Sequence, residues 1–488
     1  MAGMLLALTA LALFFTACYR VLETPLWNYN GSRLMPSFAV AQGINYYKLP
    51  HEGPLYCSLY GPLISLVYLP ATLFSSPNGA VLAGSAITAF LCFSTAAFLH
   101  FAPFKNGRGG TDVLALLTAG FLMCYLEPLK YVCFDIHADG PGLACGGVAC
   151  GALYFSKPEN RWALPVSAWF AVLAIFCKQT FLPVPLALLA YVLAIAGWKM
   201  AKRYLLWLAS ASVVAGGGAL LAIGPERLYH CLIWVPAHHP WNEASGLISL
   251  AQALRGFIRL SGLVLIPWVA CGAYLLGERR TGWSRLRDLA ATRCAPLVWV
   301  GMAMVPSAIA GRAKAGGDIN SFSLSLFFLT CGLTVMLADL ADGMEPVRRR
   351  LAVCAMVAML LPLAVSEAPL IPTLPAKIRE LRQAPQNVAF EYLQRHPGEA
   401  YFPWFPLAHY LAEHQFRHYA FGIADRLLAR EPVSIADFRA YIPANPRIIA
   451  FSSDGTRDVF GYDLMTYLPE YRCCVSDPEL RGWAVYGK

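Results

Sequence analysis

Two carboxylates and an imidazole stand within five residues of one another in Asp135-Ile136-His137-Ala138-Asp139-Gly140-Pro141. Such a set can take a proton from a hydroxyl or orient a cation. It precedes an apolar run, Gly142 to Phe155, of the kind that crosses a bilayer. Ionisable groups at the edge of a bilayer are expensive to bury and are usually solvated or functional. Lys178 is the sharpest companion. It interrupts Trp162 to Trp198, an otherwise apolar hairpin, in Phe176-Cys177-Lys178-Gln179-Thr180. Either it snorkels from a short turn or it meets a phosphate, for which Lys is a common partner.

A second basic stretch runs Gly311-Arg312-Ala313-Lys314-Ala315-Gly316-Gly317-Asp318-Ile319-Asn320. Two cations beside a Gly-Gly turn can cradle an anion through backbone N–H groups. The same stretch also reads as a basic connector, with Asp318 and Asn320 capping a helix that begins at Ser321. Ala237-His238-His239-Pro240-Trp241 offers paired histidines, but adjacent residues rarely chelate one ion well. Hydrogen bonding to a sugar or phosphate, or interfacial placement beside Trp241, is the reading for His238 and His239. Glu23, Asn28 and Asn30 complete the polar set from a first loop of residues 23–79. There, Ser32 to Gln42 has the pattern of an amphipathic helix on a membrane surface. Trp27 and Tyr46-Tyr47 suit an aromatic belt.

These residues need elements to position them. The chain has 488 residues, 57% hydrophobic and only 14% charged, with a mean hydropathy of +0.51. That composition excludes a soluble globular protein. Apolar runs of about 16 to 21 residues recur, long enough to cross a hydrocarbon core of roughly 30 Å as helix. About eleven spans are expected, at roughly 3–22, 80–101, 112–128, 140–156, 162–177, 180–198, 204–223, 257–277, 294–311, 320–340 and 351–366. The run Met4 to Cys18 lacks a basic n-region, so it reads as the first span rather than a cleaved signal peptide. Tyr60 to Phe74, after Gly61-Pro62, is short and reads as interfacial or re-entrant.

Positive charge sets the orientation. With the N-terminus inside, every inner loop is basic: Lys105 and Arg108; Lys157 and Arg161; Lys199, Lys202 and Arg203; Arg279, Arg280, Arg285, Arg287 and Arg293; Arg348, Arg349 and Arg350. This bias accounts for most of the formal net charge of +9 without a nucleic-acid partner, and no basic patch with interleaved aromatics appears. The 15 cysteines have no metal-ligand spacing, and most sit in apolar runs as small hydrophobes. The expected fold is an all-α polytopic membrane protein over residues 1–366, with a small extracytoplasmic α/β cap over 367–488. In the cap, Asn387 to Arg395 and Ile423 to Arg430 read as helices, Arg447 to Phe451 and Trp483 to Tyr486 as strands. The unusual polar residues then all fall on the outer side.

In this order the pattern resembles a family. The first span with its long outer loop, the Tyr60-Gly61-Pro62-Leu63 segment, Asp139 opening a later span, Lys178 at the next outer turn and the outer C-terminal domain are similar to the polyprenyl-phosphate-sugar glycosyltransferases of the multi-spanning GT-C class. Protein O-mannosyltransferases and lipid A aminoarabinose transferases are members. The resemblance implies a GT-C-like fold in the plasma membrane, bacterial inner membrane in type, with the site on the extracytoplasmic side. It implies an inverting transfer of a sugar from a polyprenyl-phosphate donor to a lipid, glycan or protein acceptor. Lys178 would contact the donor phosphate, and Asp139 would order the acceptor or the first loop. The family's general base is an acid of the first outer loop. Here that neighbourhood reads Trp27-Asn28-Tyr29-Asn30-Gly31, and an amide cannot take a proton. Glu23, Asp135 and Asp139 are the carboxylates left for the role, or catalysis has been lost. Around them, Asn28, Asn30, His137, Lys178, His238, His239, Arg312, Lys314, Asp318 and Asn320 are the candidate substrate contacts. No cofactor is called for beyond a divalent cation, the one open candidate. A non-catalytic carrier-binding relative is the alternative. A transporter would show inverted repeats and mid-depth polar residues, and neither is visible.

Overall fold

The computed structural model describes residues 2–56, 59–101, 109–155, 161–277, 292–343, 346–453, 455 and 457–488. Helix α1 (Ala2–Glu23) leads to α2 (Asn28–Ala41), α3 (Leu63–Val67) and α4 (Pro77–Phe101). There follow α5 (Gly109–Tyr125), α6 (Glu127–Phe134), α7 (Asp139–Phe155), α8 (Ala163–Cys177) and α9 (Pro183–Ile223). The next are α10 (Pro225–Tyr229), α11 (Val235–His238), α12 (Gly246–Leu260) and α13 (Gly262–Gly277). The helical part closes with α14 (Ala295–Ala303), α15 (Val305–Ala313), α16 (Ser323–Gly343) and α17 (Pro346–Glu367).

The chain is an integral membrane protein. Among the described residues, six helical stretches are long and apolar enough to cross a membrane, or eight if each of two bent pairs is one span. The expected apolar runs fall on helical backbone, but several do not make a straight crossing. The run 112–128 is broken where α5 and α6 meet at 93°, with Pro128 in the first turn of α6. Proline suits that position because its missing N–H has no partner there anyway. The run 257–277 straddles a bend of 73° between α12 and α13. The runs 180–198 and 204–223 are two arms of α9, which breaks at Gly197 with φ of 74°. The segment Tyr60 to Phe74 forms only α3 and a short 3-10 turn, too short to cross. Lys105, Arg108, Lys157, Arg279, Arg280, Arg285 and Arg287 of the basic loops lie outside the described residues.

The helices alternate in direction, so their ends sort into two groups. At one end Arg293, before α14, pairs with Asp339 near the close of α16 and with Asp112 near the start of α5, the latter at 3.3 Å. At the other end the start of α7, the end of α8 and the approach to α16 meet. Helix α16 runs through the middle, with Leu326, Phe327, Phe328, Cys331 and Leu333 wholly buried. Small residues on α7 let its neighbours close in: a Cβ at Gly142 would lie 2.3 Å from the Phe181 ring, and one at Gly146 2.7 Å from Phe328. Close backbone approach through small residues is how helices pack in lipid, where there is no hydrophobic force between them.

The C-terminal segment carries α18 (Leu374–Glu380), α19 (Pro385–Arg395), α20 (Pro406–Glu413), α21 (Ala420–Leu428) and α22 (Ile435–Ala440). Its strands are β1 (Ala400–Tyr401), β2 (Ile448–Phe451), β3 (Asp458–Val459), β4 (Tyr462–Asp463), β5 (Cys473–Cys474) and β6 (Ala484–Gly487). A four-stranded sheet has the order β1-β2-β6-β5, parallel only at β1–β2, and β3–β4 is a separate hairpin. The expected helices and strands of this segment coincide with α19, α21, β2 and β6.

The Ser32 to Gln42 stretch is not the surface helix that its pattern predicts. Leu34, Met35, Ala39 and Tyr47 have no exposed surface. They belong to the same core as Tyr401, Phe402, Leu407 and Tyr419 of the C-terminal segment. The Ser32 hydroxyl donates to the Trp404 carbonyl at 3.1 Å, and the Tyr419 N–H donates to the Leu55 carbonyl at 3.0 Å. Helix α2 is therefore enclosed: the apolar face expected to meet lipid meets protein.

Candidate functional site

Asp139 is the first residue of α7 and is wholly buried. At the end of α8 the backbone turns extended at Lys178, with φ −156° and ψ 131°. That turn aims the ammonium at α7: Nζ lies 2.9 and 3.1 Å from the two Asp139 carboxylate oxygens. Asn320, in the 3-10 turn before α16, donates Nδ2 to Asp139 Oδ2 at 2.7 Å. His137 Nδ1 stands 2.8 Å from the same oxygen. Loop 59–62 is pinned alongside. The Gly61 N–H donates to the Cys177 carbonyl at 2.9 Å, and Gln179 Nε2 donates to the Leu59 carbonyl at 3.1 Å. Only glycine fits at 61, because a Cβ there would lie 2.1 Å from the Phe176 carbonyl oxygen.

His137 Nδ1 meets two groups of Asp139, a carboxylate oxygen at 2.8 Å and the backbone N–H at 3.2 Å; the shorter contact, to the carboxylate, is made by the tautomer that carries its hydrogen on Nδ1. Nε2 is then an acceptor, and the Tyr60 hydroxyl faces it at 3.1 Å. The Tyr68 hydroxyl donates to the His137 carbonyl at 3.1 Å. Burial pulls the imidazole down to about 4, against the opposing pull of Asp139. The ring is neutral at neutral pH.

Above this cluster lies a cavity of about 760 Å³. Of the residues expected at the site, His137, Lys178, His239, Lys314, Asp318 and Asn320 line it, with Asp139 directly beneath. Three cations face it. Lys178 spends up to two of its three N–H donors on Asp139. Arg33 donates to the Tyr131 hydroxyl at 2.7 Å and to the Ile136 carbonyl at 3.4 Å, leaving three of five donors. Lys314 donates to the His239 and Ala237 carbonyls at 2.7 and 3.1 Å and lies 5.1 Å from the centre of the Trp241 ring. Aromatic walls come from Trp27, Tyr29, Tyr60 and Tyr131 and, from the C-terminal segment, Tyr419, Phe421 and Phe460.

Glu23 and Asp135 lie elsewhere. They line a second cavity of about 280 Å³, and Trp27 and Tyr131 border both spaces. Arg20 donates to Glu23 at 3.0 Å and to Glu367 at 2.7 Å. Asn30 is wholly buried. It donates to Asp135 Oδ1 at 2.9 Å and accepts the Ile136 N–H at 2.9 Å. Burial pushes the Asp135 carboxyl up to about 6, with Asn30 acting in the opposite sense. Asn28 is buried at the start of α2, where its carbonyl accepts from the Ser32 hydroxyl at 3.3 Å. His238 is exposed and stacks on Trp234 at 4.2 Å. Arg312 donates to the Gly317 carbonyl at 3.1 Å. His239 Nε2 lies 3.1 Å from the Asp425 carbonyl. Asp318 accepts the Ile319 N–H at 2.7 Å, a helix cap, whereas Asn320 is committed to Asp139. Among the described residues, no three His, Cys, Asp or Glu side chains converge to hold a metal ion. Arg33, Tyr131 and Asp425 were not singled out from the sequence. Arg33 alone carried a signal, as a lone cation ahead of an apolar helix face.

No family model matches the chain, and no curated protein matches it. Among solved structures, ArnT from Cupriavidus metallidurans bound to undecaprenyl phosphate aligns over 100% of this chain and 98% of its own, with a TM-score of 0.55 and 13% identity. The apo state of that protein aligns over 98% of each chain, with a TM-score of 0.54 and 13% identity. This chain shares the fold of ArnT. The fold that the resemblance implies is in accord with this likeness. At 13% identity the likeness is one of fold, so the roles of individual residues rest on the geometry above.

Proposed function

We propose that the chain is an inverting membrane glycosyltransferase. It takes a sugar from a polyprenyl-phosphate donor and passes it to a hydroxyl of a lipid, glycan or protein acceptor at the extracytoplasmic face. The observation that carries this reading is the convergence of Arg33, Lys178 and Lys314 on one cavity beside the Asp139–His137 cluster. Its support is a fold shared with a protein solved bound to undecaprenyl phosphate. Arg293, a described cation of the basic loops, stands at the opposite helix ends beside Asp112 and Asp339, which favours the extracytoplasmic side for the cavity.

The chemistry needs cations where the departing phosphate gathers charge. Asp139 already balances Lys178, so Lys178 offers a positioned hydrogen bond more than net charge. Arg33 and Lys314 supply the rest. No acid is needed for a phosphate leaving group, which suits a single displacement with inversion. The test is transfer of radiolabelled sugar from undecaprenyl-phosphate donors by membranes containing the chain. Removing one preorganised donor to developing charge costs about 10²- to 10³-fold, so Arg33→Ala and Lys178→Ala should each lose transfer on that scale. Full activity in both removes the reading.

One observation favours a second reading. Asn30, in the neighbourhood where the resemblance puts the family's acid, is sealed inside the protein and committed to Asp135 and Ile136. A non-catalytic carrier-binding protein would bind undecaprenyl phosphate and turn nothing over.

A further inference from the structure

We propose that Tyr60 and His137 form a proton relay that takes the proton of the acceptor hydroxyl, with Asp139 orienting the imidazole. The inference rests on the transferase reading and supplies the base that the first loop lacks. Both relay side chains line the large cavity. Tyr60 Oη stands 3.1 Å from His137 Nε2, and His137 Nδ1 stands 2.8 Å from Asp139. This is the order of parts in which a carboxylate fixes the tautomer of an imidazole and stabilises the imidazolium it becomes.

The carboxylates first considered for the role are placed against it. The Asp139 oxygens are taken by Lys178, His137 and Asn320. Asp135 and Glu23 sit beyond Trp27 and Tyr131 in the smaller cavity. Tyr60, by contrast, is held at the wall of the main cavity. Its carbonyl accepts from the Tyr47 hydroxyl, and the following N–H is bound to Cys177. The Lys178 ammonium lies 5.4 Å from the centre of the Tyr60 ring, so a cation for the leaving phosphate and the relay sit side by side.

In the step, the acceptor oxygen bonds to the anomeric carbon as the bond from that carbon to the phosphate oxygen breaks. The acceptor proton passes to Tyr60 Oη while the proton of Tyr60 passes to His137 Nε2. The bonding pair leaves with the phosphate. The imidazolium, held by Asp139, then returns its proton to the departed phosphate or to water. Asp139, Arg33, Lys178, Tyr60 and Tyr131 are the charged and titratable groups facing His137. Asp139 favours its charged form; burial, Arg33 and Lys178 oppose it.

The experiment uses the purified full chain with undecaprenyl phosphate carrying radiolabelled mannose, glucose, galactose or aminoarabinose, and total envelope lipid and glycan as acceptor. Binding of undecaprenyl phosphate is measured in parallel to show that each variant is folded. Positioned acid–base groups contribute about 10²- to 10⁴-fold. Tyr60→Phe, which removes one oxygen, and His137→Gln should each lose transfer on that scale while binding persists. The acid limb of the wild-type rate, expected near about 4 from the buried imidazole, should vanish from the residual rate of His137→Gln. Wild-type transfer that survives both substitutions, or an acid limb unchanged in His137→Gln, overturns the relay and leaves the transferase standing. A wild type that binds undecaprenyl phosphate but transfers none of the sugars removes the transferase reading, and the relay with it.

Discussion

Burying the Asp139 carboxylate costs several kcal/mol before any partner is counted. Lys178, His137 and Asn320 offset that cost together, so the cluster responds to substitution as a unit. Lys178→Ala leaves the charge uncompensated and is expected to destabilise the protein by about 3–5 kcal/mol. The double variant Asp139→Asn/Lys178→Met removes both charges and should melt well above Lys178→Ala in the same detergent. Equal melting temperatures would show that the pair is not coupled. The pH profile is decided at this scale too. His137 is neutral above about 4, so transfer that needs a neutral imidazole should be level from pH 7 to pH ~5 and fall below pH ~4. Asp135 is held up to about 6 by burial. Were it the base, transfer would already fall on passing below pH ~6. The residues themselves were legible in part: Asp139 and Lys178 stood out as ionisable groups in apolar surroundings. The partition of Glu23 and Asp135 into a separate cavity was not, because it depends on how the rings of Trp27 and Tyr131 pack.

Helices bring these residues together through their ends rather than their faces. Asp139 opens α7, Lys178 follows α8 and Asn320 precedes α16. Alternating helix direction puts those three ends on one side. That is why hydropathy and charge bias alone grouped them. The bends were less legible. A 17-residue apolar run such as 112–128 has the length of a span, yet the chain turns through 93° within it. The backbone turns extended at Leu126, with ψ of 117°, and α6 packs against α4 and the approach to α16, neither of which hydropathy shows. Loop 59–62 is the element most exposed to a test, since Gly61 touches the backbone of α8. Gly61→Ala forces a Cβ to within 2.1 Å of the Phe176 oxygen, an overpacking of about 1–3 kcal/mol. It should move Tyr60 away from His137. The expected result is a folded protein that binds undecaprenyl phosphate with sharply reduced transfer; wild-type transfer would show that the loop has slack.

At the scale of the whole molecule the described residues form two hydrophobic cores, and the second joins parts that the sequence places far apart. One core lies among the long helices. The other is built from the first loop and the C-terminal segment together. The C-terminal elements were readable from their own periodicity, but their dependence on α2 was not, since it rests on contacts hundreds of residues apart. A chain ending at Glu367 therefore loses more than half of that core and the cavity wall of Tyr419, Phe421 and Phe460. It should aggregate or melt early in size-exclusion and thermal assays; a truncated chain as stable as the full one would show that the segment is an independent cap. The claim on which the rest depends is that a polyprenyl phosphate occupies the large cavity. Photo-crosslinking with a diazirine analogue of undecaprenyl phosphate, followed by peptide mapping, reads this directly. Label is expected at Leu182, Leu232, Ile233 and Leu324 of the cavity wall, and excess undecaprenyl phosphate should compete it away. Label confined to exposed positions of α9 such as Val213 and Leu221, and unmoved by competitor, would contradict the account.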